Sequence, residues 1–367
     1  MSDYSAVDHA HMARALALAE RGLYTATPNP RVGCVVVNDG VVIGEGFHRR
    51  AGEPHAEINA LTQAREHRRD TRGATLYVTL EPCNHYGRTP PCVDAILAAG
   101  IGRVVAAMPD PNPAAAHGAQ RLRASGIVVD LGLLEHEAHE LNIGFVSRMA
   151  RGTPWVRVKL AVSVDGRSAL MNGVSQWITG ADARADGHAW RARACAVLTG
   201  VGTILQDDPQ LTVRDVDTTR QPLRVIVDRN ADTPAGARAL AGGPALVVTA
   251  RRHNSEWPAN VETLALPDSR GRIDLAAMMR SLAGRGVNEL HVEAGARLNG
   301  ALISEGLVDE LLVYFAPSVL GDPGRGMFEL AAPLTSLSAR VPLEWHGIER
   351  IGADLRVIAR VVRTGIR

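Results

Sequence analysis

The chain has 367 residues, 40 basic and 39 acidic, a formal net charge of +1 and 46% hydrophobic residues. That length predicts two domains, and that composition can build two cores. Near-zero net charge excludes a general nucleic-acid binder, which needs a basic field. Up to residue 150 there are 14 arginines against 16 acidic residues, so neither half is strongly polarised. Lys159 is the only lysine in the chain. No run of 18 apolar residues occurs, which argues against a transmembrane helix. The start, Met1-Ser2-Asp3-Tyr4, has no charged region followed by an apolar one, so no signal peptide is read. A cytoplasmic location is the default expectation. Four cysteines, Cys34, Cys83, Cys92 and Cys195, are too few for a disulfide scaffold.

In chain order, Met12, Leu16 and Ala19 give one apolar stripe, predicting a helix over 5–20. A hairpin follows over 31–47, turning at Asn38-Asp39-Gly40. Pro54 precedes a helical pattern from 55 to about 68. Residues 76–80 read as a buried strand. Pro90-Pro91 opens the next helix, where proline in a first turn costs little, and Gly100 ends it. Strands at 104–107 and 127–130 flank a helix near 116–125, and one helix is expected from 134 to about 149. Gly152-Thr153-Pro154 breaks the pattern, giving domains 1–150 and 151–367. The second set has strands at 155–162, 195–199, 223–228, 245–249, 289–293, 311–316 and 354–362. Its helices are expected at 181–194, 274–284 and 296–305. The stretch 205–222 is the most irregular, and no repeat relates the halves. Alternating strand and helix predicts α/β domains with sheets covered on both faces.

The first chemical constellation is His55-Ala56-Glu57 at a helix start, Glu81-Pro82-Cys83 after a strand, and Cys92 opening a helix. One imidazole and two thiolates make a zinc set that leaves a fourth position open for activating water. Glu57, two residues from His55, is placed to move protons without ligating. This division matches the nucleobase-deaminase pattern H-x-E followed by P-C-x-x-C, except that eight residues separate these cysteines. The bland alternatives are a chance His-x-Glu with two buried thiols, or a structural zinc completed by His85 or Cys34. Both signals in this order, each at a strand–helix junction, favour a catalytic zinc, one per chain.

Three longer runs extend the pattern. They are Pro28-Asn29-Pro30-Arg31-Val32-Gly33-Cys34, Gly52-Glu53-Pro54-His55-Ala56-Glu57, and the segment from Thr79 to Cys92. With them the chain resembles the bifunctional riboflavin-biosynthesis deaminase–reductase family, in which the eight-residue cysteine spacing is usual. The resemblance implies a cytidine-deaminase-like α/β/α domain followed by a dihydrofolate-reductase-like α/β domain. It implies hydrolysis of the 2-amino group of 2,5-diamino-6-(5-phosphoribosylamino)pyrimidin-4(3H)-one. It makes His55, Cys83 and Cys92 the zinc ligands, Glu57 the proton shuttle, and Asn29, His48 and Arg88 substrate contacts. Arg88 suits a phosphate, which a guanidinium grips with two parallel bonds. Asn29 as a plain turn residue and His48 as a surface histidine remain alternatives.

The second half carries no G-x-G-x-x-G. Its glycine-bearing junction at Glu293-Ala294-Gly295 is by itself a weak phosphate signal, equally read as a packing turn. Val158-Lys159-Leu160-Ala161, Ser175-Gln176-Trp177 and the run Gly202–Arg214 resemble the reductase domain of the same family. That resemblance implies NADPH-dependent reduction of the ribosyl chain, giving 5-amino-6-(5-phosphoribitylamino)uracil. It implies cofactor contacts at Ala161, Trp177, Thr203, Asp207, Arg229, Gly295, Ala296, Arg297, Leu298, Asn299, Gly300 and Ala301. Substrate contacts are implied at Ser175, Arg191, Leu211, Arg214 and Glu293. Arg191 and Arg214 are expected at the substrate phosphate, and Arg229 at a cofactor 2′-phosphate or else on the surface. Asp208 has a local backbone cap as its alternative. Lys159 is expected near the reacting centre, since a chain that otherwise uses arginine keeps a compact ammonium there. The partners expected are small phosphorylated pyrimidines, with no nucleic acid and no membrane, and the chain is expected to form a homo-oligomer.

Overall fold

A computed structural model describes residues 4–87, 90–252 and 256–363. The chain divides into two compact units, Met1–Gly152 and Thr153–Arg367. Among the described residues, no helix is long and apolar enough to cross a membrane.

In the first unit, Ser5 caps α1 (Ala6–Glu20) through a capping box. Its hydroxyl accepts from the Asp8 N–H, and the Asp8 carboxylate accepts from the Ser5 N–H. The hairpin is β1 (Gly33–Asn38) and β2 (Val41–Phe47). Asp39 and Gly40 both sit at positive φ, 48° and 74°, as a two-residue turn that follows the strand twist requires. Next come α2 (Ala56–Glu66), β3 (Thr75–Val78), α3 (Cys92–Ala98), β4 (Arg103–Ala106), α4 (Gly118–Ala124) and β5 (Val128–Leu131). The sheet order is β2-β1-β3-β4-β5, antiparallel through β3 and parallel beyond it. A Cβ on Gly46 would lie 2.4 Å from the Ala56 carbonyl oxygen. Glycine there brings the start of α2, and with it His55 and Glu57, down onto the sheet.

The single helix expected over 134–149 is two, α5 (Glu135–Leu141) and α6 (Ile143–Arg151). Asn142 breaks it. Its buried amide accepts from the Arg31 N–H at 2.8 Å and donates to the Arg31 carbonyl at 2.9 Å. A side chain that completes another segment's backbone bonds competes with helix continuity. The break therefore fixes the loop that carries Asn29.

In the second unit the order is β6 (Trp155–Ser163), α7 (Ala181–Arg193), β7 (Ala196–Gly200), α8 (Val201–Asp207), β8 (Leu223–Val227), β9 (Ala245–Thr249) and β10 (Val261–Ala265). Then follow α9 (Leu275–Gly284), β11 (Glu289–Val292), α10 (Ala296–Ser304), β12 (Glu310–Ala316), β13 (Leu343–Ile351) and β14 (Asp354–Val361). Nine strands run β10-β9-β8-β7-β11-β6-β12-β14-β13, parallel from β10 to β12 and antiparallel over the last three. Three elements escape the sequence pattern. β10 and β13 are the two edge strands, exposed along much of their length, so they carry no buried-strand signature. The short helix α8 occupies the start of the stretch read as irregular.

Strand β6 shows the period of two most plainly. Val156, Val158, Leu160 and Val162 enter a core with Met278, Leu282 and Leu290. Arg157 and Lys159 point to the other face. There Arg157 is buried between Glu289 and Glu310, with its guanidinium 4.4 Å from the Trp190 ring centroid of α7.

Candidate active sites

In the first unit the strand ends and helix starts converge on one cavity of about 470 Å³. His55 is the residue before α2, Cys83 follows β3 in a loop, and Cys92 opens α3. Their ligand atoms lie within 4.8 Å of one another, and they are the one His/Cys/Asp/Glu group of this kind among the described residues. His55 Nδ1 stands 3.3 Å from Cys92 Sγ and 3.6 Å from Cys83 Sγ, and the Cys92 N–H faces Cys83 Sγ at 3.4 Å. Hydrogen bonding from Cys92 pulls the Cys83 thiol down to about 4, while sharing that proton and burial push Cys92 up. A thiolate, a second thiol and an imidazole at one point suit a zinc ion. His85 lines the cavity and Cys34 is buried in β1, and neither belongs to the cluster.

Glu57 is buried at 3% exposure and lines the same cavity. Burial, then the nearby Cys83, raises its carboxyl to about 7. A carboxyl in that range can both take and give a proton near neutrality. The loop that carries Cys83 is braced by Glu81, which accepts from the Asp110 and Ala119 N–H groups at 3.1 and 2.8 Å. Gly118 lets the Pro82 carbonyl pass, since a Cβ there would lie 1.8 Å from it.

Asn29 and His48 face the cavity together. His48 Nδ1 lies 3.2 Å from the Pro54 carbonyl, which can only accept, so the proton is assigned to Nδ1. Nε2 then accepts from the Asn29 amide at 3.0 Å, which leaves the Asn29 carbonyl oxygen for a donor. Burial lowers the His48 pKa, and the ring is 2% exposed, so the surface alternative does not hold. Arg88 lies outside the described residues. The sequence reading missed Asp110, Asn112, Phe145 and Arg148, which also line the cavity. Burial raises the Asp110 carboxyl to about 6. The run Asp110-Pro111-Asn112-Pro113, just past β4, was the available signal.

In the second unit, Glu293 follows β11 and Arg191 sits in the last turn of α7. They form a two-pronged pair at 2.7 and 2.8 Å, and Arg191 also donates to the Thr212 carbonyl at 2.6 Å. Burial alone would raise Glu293, but Arg191 outweighs it and holds the carboxyl well below its usual range. This alters the expectation that Arg191 meets a phosphate, because its charge is already spent on a neighbouring carboxylate. Arg214 is exposed and contacts His188, Gln210 and Thr212, so it is the freer cation. Lys159 is half-buried on β6, where burial lowers its pKa and Glu293 opposes that.

The ends of β7 and β11 lie side by side, and Thr199 donates to the Glu293 carbonyl at 2.7 Å. Gly202 and Gly295 open onto free space, since a Cβ at either meets nothing within 4 Å. Thr203 and Asp207 are half-buried on α8, and Ala161 is half-buried on β6. Along α10, Ala296, Leu298 and Ala301 are half-buried and Arg297 is exposed in a pair with Glu329. Asn299 and Gly300 instead turn inward. Asn299 donates to the Ala294 carbonyl, and Gly300 makes room for the Glu329 carbonyl, so both brace the helix. Leu211 is buried in a small core, Ser175 is half-buried, and Trp177 is exposed beneath the Arg184 guanidinium at 4.6 Å. Arg229 is exposed. Asp208 accepts from the Arg238 N–H at 2.8 Å, a backbone bond 30 positions away rather than the local cap expected.

Residues 5–108 match the cytidine and deoxycytidylate deaminase zinc-binding region, and residues 154–357 match the RibD C-terminal domain. The chain is 47% identical to riboflavin biosynthesis protein RibD of Escherichia coli, over 95% of this chain and 98% of that protein. It is 39% identical to the RibD protein of Aquifex aeolicus, over 95% and 97%. The chain belongs to the RibD family. Among solved structures, RibD of Acinetobacter baumannii superposes with a TM-score of 0.89 at 41% identity, covering 97% of this chain and 99% of that one. A diaminohydroxyphosphoribosylaminopyrimidine deaminase/5-amino-6-(5-phosphoribosylamino)uracil reductase of Thermotoga maritima gives 0.89 at 35%, with the same coverage. The RibD-family chain is thus an α/β enzyme of riboflavin biosynthesis, with a deaminase-like first unit and a reductase second unit.

Proposed function

We propose that the first unit hydrolyses the 2-amino group of 2,5-diamino-6-(5-phosphoribosylamino)pyrimidin-4(3H)-one. The second unit then reduces the ribosyl chain with NADPH. The carrying observation is the meeting of His55, Cys83 and Cys92 beside buried Glu57 in one cavity. His55, Cys83 and Cys92 would hold zinc, which supplies a Lewis acid that activates water at neutral pH. Glu57 takes a proton from the attacking water and delivers it to the ring nitrogen. It then takes the proton of the newly added hydroxyl and gives it to the leaving amine, so the C–N bond breaks, ammonia departs and a carbonyl remains. Asn29, held by His48, meets the ring edge. Arg88 is assigned to the phosphate.

In the second unit the open backbone at Gly202 and Gly295 fits a phosphorylated cofactor at the carboxyl ends of parallel strands. NADPH would supply a hydride to C1′ of the opened sugar. Lys159 and Glu293 are the polar groups assigned to the reacting centre, and Arg214 to the substrate phosphate. The enzyme is taken to be cytoplasmic and self-associating.

The test offers the diaminopyrimidine phosphate with and without NADPH. Ammonia is expected in both cases, and loss of the nicotinamide absorbance only after deamination. Ammonia without NADPH oxidation would reduce the reading to a single activity.

A further inference from the structure

The Lys159 ammonium makes no hydrogen bond and no ion pair within 4.0 Å among the described residues. Glu293, the carboxylate whose charge acts on Lys159, is paired with Arg191. The half-buried ammonium is thus left for water or a ligand, and its position depends on what its stem and head rest against. What faces it is an aromatic ring. Lys159 Nζ lies 5.8 Å from the Tyr314 ring centroid, within reach of cation–π attraction. The stem rests on α7 at Gly187, where an added Cβ would come 3.8 Å from Lys159 Cε.

The ring is itself held. Tyr314 on β12 is 0% exposed, and its hydroxyl donates to Asp186 Oδ2 of α7 at 2.6 Å. Arg356 of β14 donates to both Asp186 oxygens at 2.9 Å and to Glu349 of β13 at 2.6 Å. A short charge-assisted bond, itself fixed from two other strands, anchors the direction of the ring's long axis, and full burial packs its faces. Burial and the Asp186 carboxylate both raise the Tyr314 pKa, so the phenol stays neutral and remains a donor.

We propose that Tyr314 and Asp186 are positioning residues for Lys159: the ring face carries the ammonium, and the carboxylate fixes the ring. Neither touches the reacting atoms. Their effect on reduction passes through Lys159. The inference rests on the reductase reading above.

Three variants test it in the full chain, supplied with the deaminated substrate and NADPH. Tyr314→Leu is expected to lower reductase kcat about tenfold or more, with the NADPH KM within about twofold. Tyr314→Phe keeps the ring but loses the Asp186 bond, and is expected to fall by an intermediate amount, about threefold. In a Lys159→Met background, Tyr314→Leu should cost less than about twofold more, because the two act as one unit. Additive losses, or equal losses for Phe and Leu, would overturn the proposal. Wild-type protein that releases ammonia but oxidises no NADPH would sink the reductase reading instead, and this inference with it.

A second measurement does not depend on turnover. Because Lys159 is the only lysine, ε-13C-lysine labelling gives one assigned side-chain NMR signal. Its methylene protons are expected upfield of free lysine through the Tyr314 ring current, and upfield in Tyr314→Phe. A wild-type signal at the free-lysine position overturns the proposal even if Tyr314→Leu does not fold.

Discussion

The two candidate sites solve opposite electrostatic problems. In the first unit, a thiolate-prone cysteine, a second thiol and an imidazole converge on one point. In the second, Glu293 and Arg191 already satisfy each other, and Arg157 is locked between Glu289 and Glu310. The donor set of the first suits a metal ion, so in the proposed reading its chemistry depends on loading. The second is a preformed polar face, so its chemistry depends on geometry. Losing a donor should therefore abolish the first site outright, while losing a charge in the second should also destabilise the fold.

The sharpest break is Cys83→Ser. Zinc content is expected to fall from about one per chain to near zero, with ammonia release down at least ~1,000-fold, by metal analysis and an ammonia assay. Reductase turnover on deaminated substrate should change less than about twofold. Unaltered zinc would remove the ligand assignment. Glu57→Gln should hold zinc yet slow ammonia release by roughly 100- to 10,000-fold, separating proton transfer from metal binding. For the second unit, Glu293→Ala leaves the Arg191 guanidinium unpaired. It is expected to cost about 3 kcal/mol of stability, read by denaturant unfolding, while deaminase activity persists. No loss of stability would mean that the pair is not the constraint drawn here.

The mildest case concerns acid. Asp8 accepts from Ser5, Tyr77 and Arg103. Burial alone would raise its carboxyl, but these bonds outweigh that and hold it below its usual range. A depressed folded-state pKa contributes stability that is complete above the unfolded value. That contribution is lost as pH falls through the folded one. Below pH ~4 the wild-type first unit should weaken more steeply than Asp8→Asn. Parallel acid transitions would refute this.

The contrast also explains what was legible in the sequence. The proposed zinc set lies in short motifs, so His55, Glu57, Cys83 and Cys92 could be proposed from residue types and their order at strand–helix junctions. The pair Arg191–Glu293 spans 102 positions and has no local signature. Asn142 reads as one polar residue in a helical pattern, and only its bonds to Arg31 reveal a break. Asp110 and Asn112 line the cavity from a loop without a motif. The strands in the interiors of the two sheets were readable because burial writes an apolar pattern. The edge strands β10 and β13 were not, because half of that pattern is missing.

Strand β6 carries a further consequence. Its valines and Leu160 face one way, and Arg157 and Lys159 the other. A slip of one residue against β11 or β12 would drive a guanidinium and an ammonium into the hydrocarbon core. It would also take from Glu289 and Glu310 the guanidinium they share, leaving them only Arg193 and Arg360 respectively. Several unpaired buried charges at once cost far more than a few lost ladder bonds. The strand that presents the lone ammonium therefore also penalises every misregistered pairing of the parallel sheet.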